Sequence, residues 1–250
     1  NVTTSTKPTA RYSTSMAYDE VTQRVVLFGG RLQSGEIVGD TWRFDGTAWN
    51  QVSTARAPNP RVEHAMALDP ERHTVQLFGG IDSEGVRRAD LWELHATTWV
   101  ERPAAERPSA RNGHAMTYDV TNRKLVIVGG ESDSGIKLSD TWVFGGIGWR
   151  LRTTSLAAAA RYGHTLAYLP IARNTILFGG LRDDGVSNDT WLFGFSQTDE
   201  TVDSCHAGAA EPDADGDGLR GCGSNGGSAD PDCWGRCTPF CPPWTTATDE

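Results

Sequence analysis

Three histidines, His64, His114 and His164, stand 50 residues apart with Thr14 completing their column. A ring of imidazoles is a ligand set for a transition metal. A second chemistry lies near the C-terminus. Asp213, Asp215 and Asp217 occupy the first, third and fifth positions of a loop, Gly218 the sixth, and the Leu219 carbonyl the seventh. Hard oxygen donors gathered on a sharp turn suit Ca²⁺. The twelfth position falls on Ser224, a poor closing ligand, but treating Gly223 to Ser228 as an excursion brings Asp230 to the twelfth position and Asp232 to the fourteenth. The candidate calcium ligands are therefore Asp213, Asp215, Asp217, Leu219, Asp230 and Asp232. Cys205, Cys222, Cys233, Cys237 and Cys241 share this segment with Gly, Asp and Pro. A cysteine-dense stretch without a core reads as disulfide-stapled, in an oxidising compartment, and an odd cysteine is free or joins another subunit. The spacing Cys233, Cys237, Cys241 also admits Zn²⁺, with His206 the nearest imidazole, but the oxidising compartment favours disulfides.

The histidine column belongs to a larger pattern that dictates the fold. Arg11, Arg61, Arg111 and Arg161 recur every 50 residues, as do the diglycines Gly29-Gly30, Gly79-Gly80, Gly129-Gly130 and Gly179-Gly180. Asp40-Thr41-Trp42, Asp90-Leu91-Trp92, Asp140-Thr141-Trp142 and Asp189-Thr190-Trp191 follow, the last one residue early. A fixed period of this length means one supersecondary unit stacked on its copies. Within a unit, Thr14 to Tyr18 alternates small or polar with apolar residues, a turn spans Asp19 to Gln23, and Arg24 to Phe28 is β-branched and aromatic. The diglycine ends that run and a loop with Ser34-Gly35 at its tip follows. Asp40 to Phe44 and Trp49 to Val52 then predict two more strands. Nothing has a helical period. Four antiparallel strands repeated radially form the blade of a β-propeller.

Arg61-x-x-His64, Leu77-Phe78-Gly79-Gly80, Asp90-Leu91-Trp92 and the trailing Trp99, with their counterparts, resemble kelch repeats over residues 1–195. The resemblance implies an all-β propeller of four 50-residue blades over residues 1–196, with the histidine column on strands that line a central channel. Kelch rings more often have five to seven blades, so a longer parent protein is the alternative. Thr198 stands where the fourth copy's second Trp is expected, whereas Asn1-Val2 align with Gln51-Val52. The last blade therefore lacks its outer strand, and Asn1 to Thr4 is expected to close the ring beside it, removing two sheet edges. Residues 197–250 form an irregular tail stabilised by disulfides and Ca²⁺. The tail resembles thrombospondin type 3 and dockerin calcium loops, and more closely the Asp- and Cys-rich tails of secreted myxobacterial surface proteins, which implies a bacterial, secreted or cell-surface setting.

Residues that recur in every copy are first explained as scaffold. The Arg and His columns are expected to satisfy backbone or acidic groups of the adjoining blade, the Asp column to hold the turn before the third strand, and the Trp column to fill the core between blades. Function is sought where copies differ, in loops sharing one face. Those loops give Arg31, Glu36, Asp82, Arg87, Arg88, Glu131, Lys137, Arg182 and Asp183 as the candidate binding face, suited to a polar partner. Up to Ser196 acidic and basic residues balance at 21 each, and beyond it stand 11 acidic and 2 basic residues, so the net charge of -9 lies in the tail. No basic stripe exists to neutralise phosphates, which excludes nucleic acid, and no apolar run has transmembrane length. The expected function is a non-enzymatic extracellular binding or structural module with Ca²⁺ and no organic cofactor. Its partners would be a protein or polysaccharide at the cell surface, or further copies of itself. A galactose oxidase-like copper enzyme needs a propeller cysteine, and none precedes Cys205. A sialic acid epimerase-like enzyme using His64, His114 and His164 in the channel is the remaining enzymatic alternative.

Overall fold

Each 50-residue unit folds from its own alternation of apolar and polar residues. A computed structural model describes residues 6–145, 148–152 and 158–194. The expected closing strand Asn1 to Thr4, the five cysteines and the calcium loop lie outside these. The chain divides into two units, Asn1–Gly194 and Phe195–Glu250, and only the first is described below.

The first blade is an antiparallel meander of Ser15–Asp19, Arg24–Phe28, Thr41–Phe44 and Trp49–Val52, paired in sequence order. Ala65–Asp69, Thr74–Phe78, Leu91–His95 and Thr98–Arg102 form the second blade. Ala115–Asp119, Lys124–Val128, Thr141–Gly145 and Gly148–Arg152 form the third. The fourth pairs Thr165–Leu169, Asn174–Phe178 and Thr190–Phe193, with no outer strand among the described residues. No helix occurs among the described residues. The turn after each inner strand is set by an Asp in the first three blades: Asp19 Oδ1 accepts the N–H groups of Val21 and Thr22. Gln23, His73, Arg123 and Arg173 close these turns at positive φ, at 54°, 52°, 56° and 53°.

Successive side chains of a strand point to opposite sheet faces, so each blade has a leading and a trailing face. Ala17, Val26 and Phe28 on the trailing face of the first blade pack with Met66, Val75, Leu77, Trp92, Leu94 and Trp99 on the leading face of the second. Ala65, Ala67, Phe78 and Leu91 pack likewise with Met116, Tyr118, Leu125, Ile127, Phe144 and Trp149 of the third. The core is thus a series of seams between blades, not one central mass. Inner strands of neighbouring blades lie side by side from the first to the fourth, but no comparable packing joins Ser15–Asp19 to Thr165–Leu169.

One element goes beyond the sequence expectation. The segment after each diglycine is a small hairpin, not an open loop. In the first blade Leu32 N–H donates to the Glu36 carbonyl and Val38 N–H to the Gly30 carbonyl. Its first strand, Arg31–Leu32, pairs back with Arg11–Tyr12. In the fourth blade the hairpin is Leu181–Arg182 with Gly185–Val186. The early arrival of Asp189 is therefore a one-residue shortening of this hairpin, which leaves the strands in register.

Candidate functional site

Each diglycine and the Arg column build one end of the fold together. Arg61 Nη1 and Nη2 donate to the two carboxylate oxygens of Asp90 at 2.7 and 2.8 Å, Nη1 also reaches the Gly79 carbonyl at 2.9 Å, and Nε reaches the Asn59 carbonyl at 3.1 Å. Asp90 Oδ2 also accepts the Trp92 indole N–H at 2.7 Å. The same fork joins Arg11 to Asp40, Arg111 to Asp140 and Arg161 to Asp189. A planar guanidinium saturated on both edges suits a buried site, where an unpaired donor is costly. The expectation that this column serves the adjoining blade is corrected: Arg and Asp belong to the same repeat. Burial by itself would raise the Asp90 carboxyl, but the Arg61 hydrogen bonds and charge outweigh it and hold the group below the usual carboxylate range. At Asp189 the Arg161 hydrogen bonds are the largest influence, and they too lower it.

Gly79 sits at φ 65°, and a Cβ there would come within 2.8 Å of the Arg111 carbonyl of the next blade. Glycine is required both for the left-handed backbone and for that close approach. Through it the blades are stitched: Gly30, Gly80 and Gly130 donate N–H groups to the carbonyls of Arg61, Arg111 and Arg161 at 2.9, 2.8 and 2.9 Å.

The histidine column lies inside this stitching. The His64 ring packs edge-on against Phe28 of the preceding blade at 5.6 Å, and His114 against Phe78 at 5.5 Å. His64, His114 and His164 are buried, and neither ring nitrogen of any of them has a hydrogen-bond partner in the structure. Burial, then the nearby Arg61 charge, pushes His64 down to about 3; the Phe28 carbonyl favours the charged form without meeting hydrogen-bond geometry. Burial and Arg111 push His114 well below its ordinary value, and burial with Arg161 pushes His164 down to about 4. These are neutral packing groups, closed off from any channel. Among the described residues no group of three or more His, Cys, Asp or Glu is placed to hold a metal ion.

The loop candidates separate into different roles. Asp82 is fully buried: its Oδ1 accepts the Glu84 and Val86 N–H groups at 2.9 Å each, and its Oδ2 pairs with Arg88. That removes Asp82 from a solvated recognition face, while the Arg88 side chain remains 31 % exposed. Arg87 crosses to the third blade, donating to Asn112 Oδ1 and Glu131 Oε1 at 2.5 Å each. Lys137 crosses to the fourth, meeting Asp183 at 2.6 Å over the Tyr162 ring. Arg31 donates to the Gly35 carbonyl of its own hairpin, Glu36 stays exposed at the tip, and Arg182 pairs with Asp184. Most candidate charges therefore bind one another.

What charge patterning does not reveal is an aliphatic set. Val86, Ile136 and Val186 stand exposed on the hairpins of the second, third and fourth blades. A separate open groove runs along the inner strands of the first three blades, lined by Met16, Tyr18, Met66, Leu68, Met116 and Tyr118 among others. Among the described residues its only titratable side chains are Tyr18 and Tyr118, and no His, Asp, Glu, Lys or Arg lines it.

The Arg-to-Asp fork, the diglycine at positive φ and the tryptophan two residues after the Asp, its indole N–H donated to that Asp, recur in every blade. A family model described as the KLHDC2/KLHL20/DRC7 Kelch-repeats domain matches residues 1–145. The chain belongs to the kelch-repeat family. No curated protein matches it in a direct search. As a kelch propeller of four blades it has the scaffold typical of protein–protein interaction modules, and no helix among the described residues is long and apolar enough to cross a membrane.

Proposed function

We propose that this kelch chain is a non-enzymatic extracellular binding module that engages a protein partner through the hairpins after its diglycines, with a Ca²⁺-binding tail. One observation carries the reading: Val86, Ile136 and Val186 are held out on rigid hairpins whose flanking charges are already consumed by one another, as Arg87 with Glu131 and Lys137 with Asp183. Presented aliphatic groups lose contact with water only when another surface covers them, which makes them contact points rather than solubilising ones. Position-specific recognition then comes from the exposed tip residues between them, including Glu36, Ser83 and Asp133, which differ from blade to blade. Polysaccharide is the weaker candidate, because saccharide recognition favours exposed aromatic platforms, and these hairpin tips carry none.

The tail supports the extracellular and calcium parts of the proposal by its chemistry. Asp213, Asp215, Asp217, Asp230 and Asp232 with the Leu219 carbonyl are an all-oxygen donor set, which fits Ca²⁺ better than a soft metal. The cysteines beside it fit an oxidising setting, at a bacterial surface or in the medium around it.

Two measurements test the proposal. Material captured by the wild-type chain from the cell envelope of its source is compared with that captured by a Val86→Asp, Ile136→Asp double variant. A protein retained by the first and lost by the second supports the hairpin face, and equal capture by both refutes it. Elemental analysis with melting curves before and after chelation, on the full chain and on an Asp213→Asn, Asp217→Asn variant, tests the metal. Bound Ca²⁺ that the variant loses supports the tail site, and a chain free of Ca²⁺ refutes it.

A further inference from the structure

The second and third blades are each flanked on both sides by a described blade, and their hairpin tips share one composition. Glu84 and Val86 stand on either side of Gly85, and Asp133 and Ile136 bracket Ser134-Gly135. All four side chains are exposed, Val86 at 45 % and Ile136 at 62 %. Each tip thus offers one carboxylate beside one aliphatic group.

These carboxylates are the charges that the two hairpins leave unpaired. Every cation of the same hairpins is engaged: Arg88 with Asp82, Arg87 with Asn112 and Glu131, and Lys137 with Asp183 above the Tyr162 ring. The Arg87 and Lys137 side chains are only 18 % and 16 % exposed, and neither reaches out to a tip without breaking a contact between blades. The Glu84 and Asp133 side chains make no hydrogen bond or ion pair among the described residues. The tips are also held still. Asp82 Oδ1 takes the N–H groups of both Glu84 and Val86 at 2.9 Å, and the Asp82 N–H donates to the Val86 carbonyl at 3.0 Å. In the third blade Ser132 N–H donates to the Ile136 carbonyl and Gly135 N–H to the Ser132 carbonyl, both at 2.9 Å. Carboxylate and aliphatic group are therefore presented together, with little ordering left for binding to impose.

A surface that covers Val86 and Ile136 must also take water away from Glu84 and Asp133. A carboxylate desolvated without a counter-ion is costly, and the hairpins hold no spare cation to supply one. We propose that the partner of this face is a cationic protein segment in which Lys or Arg side chains lie among aliphatic ones, the cations meeting Glu84 and Asp133 while the aliphatic groups cover Val86 and Ile136. The inference rests on the hairpin-face reading and adds to it the sign of the partner's charge, which sets both encounter and selectivity. Residues 197–250 of the chain itself are the wrong occupant, since their 11 acidic residues against 2 basic ones repel these tips.

Random dodecapeptides displayed on phage test the proposal. They are selected on the immobilised full chain after depletion on a Val86→Ser, Ile136→Ser variant, which keeps the acidic tail and so removes peptides that bind there. Every change falls on an exposed side chain, and circular dichroism checks that the fold persists. The recovered peptides are expected to be enriched in Lys and Arg beside Leu, Ile or Val. They are expected to bind a Glu84→Gln, Asp133→Asn variant about fivefold more weakly, the effect of losing two exposed ion pairs. Selection on a Glu84→Lys, Asp133→Lys variant is expected to turn the preference to Asp and Glu. Recovered peptides that need Val86 and Ile136 but carry no excess of Lys or Arg overturn the charge inference and leave the hairpin-face reading standing. A cationic preference that survives charge reversal also overturns the inference alone. Recovery of no peptide that distinguishes the wild type from the Val86→Ser, Ile136→Ser variant overturns the hairpin-face reading and the inference with it.

Discussion

Lowering the pH from 7 to 5 is expected to cost this protein a large part of its stability through three side chains. His64, His114 and His164 are buried without hydrogen-bond partners, and burial beside Arg61, Arg111 and Arg161 holds all three well below the ordinary histidine value, to about 3 for His64 and about 4 for His164. In the unfolded chain each titrates near its ordinary value of about 6.5. Because the folded value is the lower one, the unfolded state takes up the proton first, and stability falls as pH drops from about 6.5 toward the folded values. Between pH 7 and pH 5 the unfolded chain gains about 2 kcal/mol per imidazole, and about 6 kcal/mol for three, against a typical total of about 5–15 kcal/mol. The buried carboxylates do not contribute in this window. Asp40, Asp90 and Asp189 are also lowered, but their unfolded counterparts begin to protonate only near pH 4. Urea unfolding at pH 7, 6 and 5 measures the loss. Replacing the histidines singly with Thr, which already fills the column as Thr14 and donates to the Phe28 carbonyl at 2.8 Å, is expected to reduce the pH slope by about one third each. A wild-type loss below about 1 kcal/mol, or a triple variant with an undiminished slope, would show that the imidazoles are not held neutral by the fold.

Three further outcomes follow from the seams and forks. Arg111→Ala strands the Gly129 carbonyl and Asp140, whose side chain is 28 % exposed while that of Arg111 is fully buried, and is expected to lower unfolding free energy by about 3 kcal/mol in urea, with Arg111→Lys recovering only part of it because an ammonium cannot form the fork. Gly79→Ala must adopt φ 65° with its Cβ 2.8 Å from the Arg111 carbonyl, so a loss of about 2 kcal/mol or more is expected. Gly179→Ala, equally left-handed at φ 71° but with its Cβ only in ordinary contact with the Ser187 carbonyl at 3.4 Å, should lose only about 1 kcal/mol, and equal losses at the two sites would contradict the seam argument. Trp99→Phe keeps the ring against Phe28 but loses the indole N–H donated to Thr41 Oγ1 at 3.0 Å, and thermal unfolding should register about 1 kcal/mol.

The blades were legible in the sequence because a strand pair, a diglycine and an indole repeating every 50 residues leave one way to bury their apolar faces. Partners were less so. Arg61 and Asp90 are 29 residues apart, a separation that does not tell whether they meet in one blade or across two, and the fork within the blade emerged only with the hairpin geometry. Asp82 resembled its solvated neighbours Glu84 and Asp133, yet it folds the hairpin from inside by accepting two backbone N–H groups. Charge in the loops drew attention away from Val86, Ile136 and Val186, whose exposure follows from their place on the hairpins and not from residue type. The exposure of Phe178 could not be read at all, since it is written as the buried Phe28 and Phe78 are, and only the presence of a packed neighbour decides burial.

The seams are written entirely by adjacent copies: Phe28 with His64 and Trp99, Phe78 with His114 and Trp149. These aromatic contacts depend on adjacency and not on rank in the series, whereas Arg87 with Glu131 and Lys137 with Asp183 each belong to one seam. An in-frame duplication or deletion of one repeat in the gene would therefore add or remove a blade while keeping the recurrent aromatic contacts and re-pairing only the charges across the altered seam. Blade number in such a protein is open to change by recombination in a single generation.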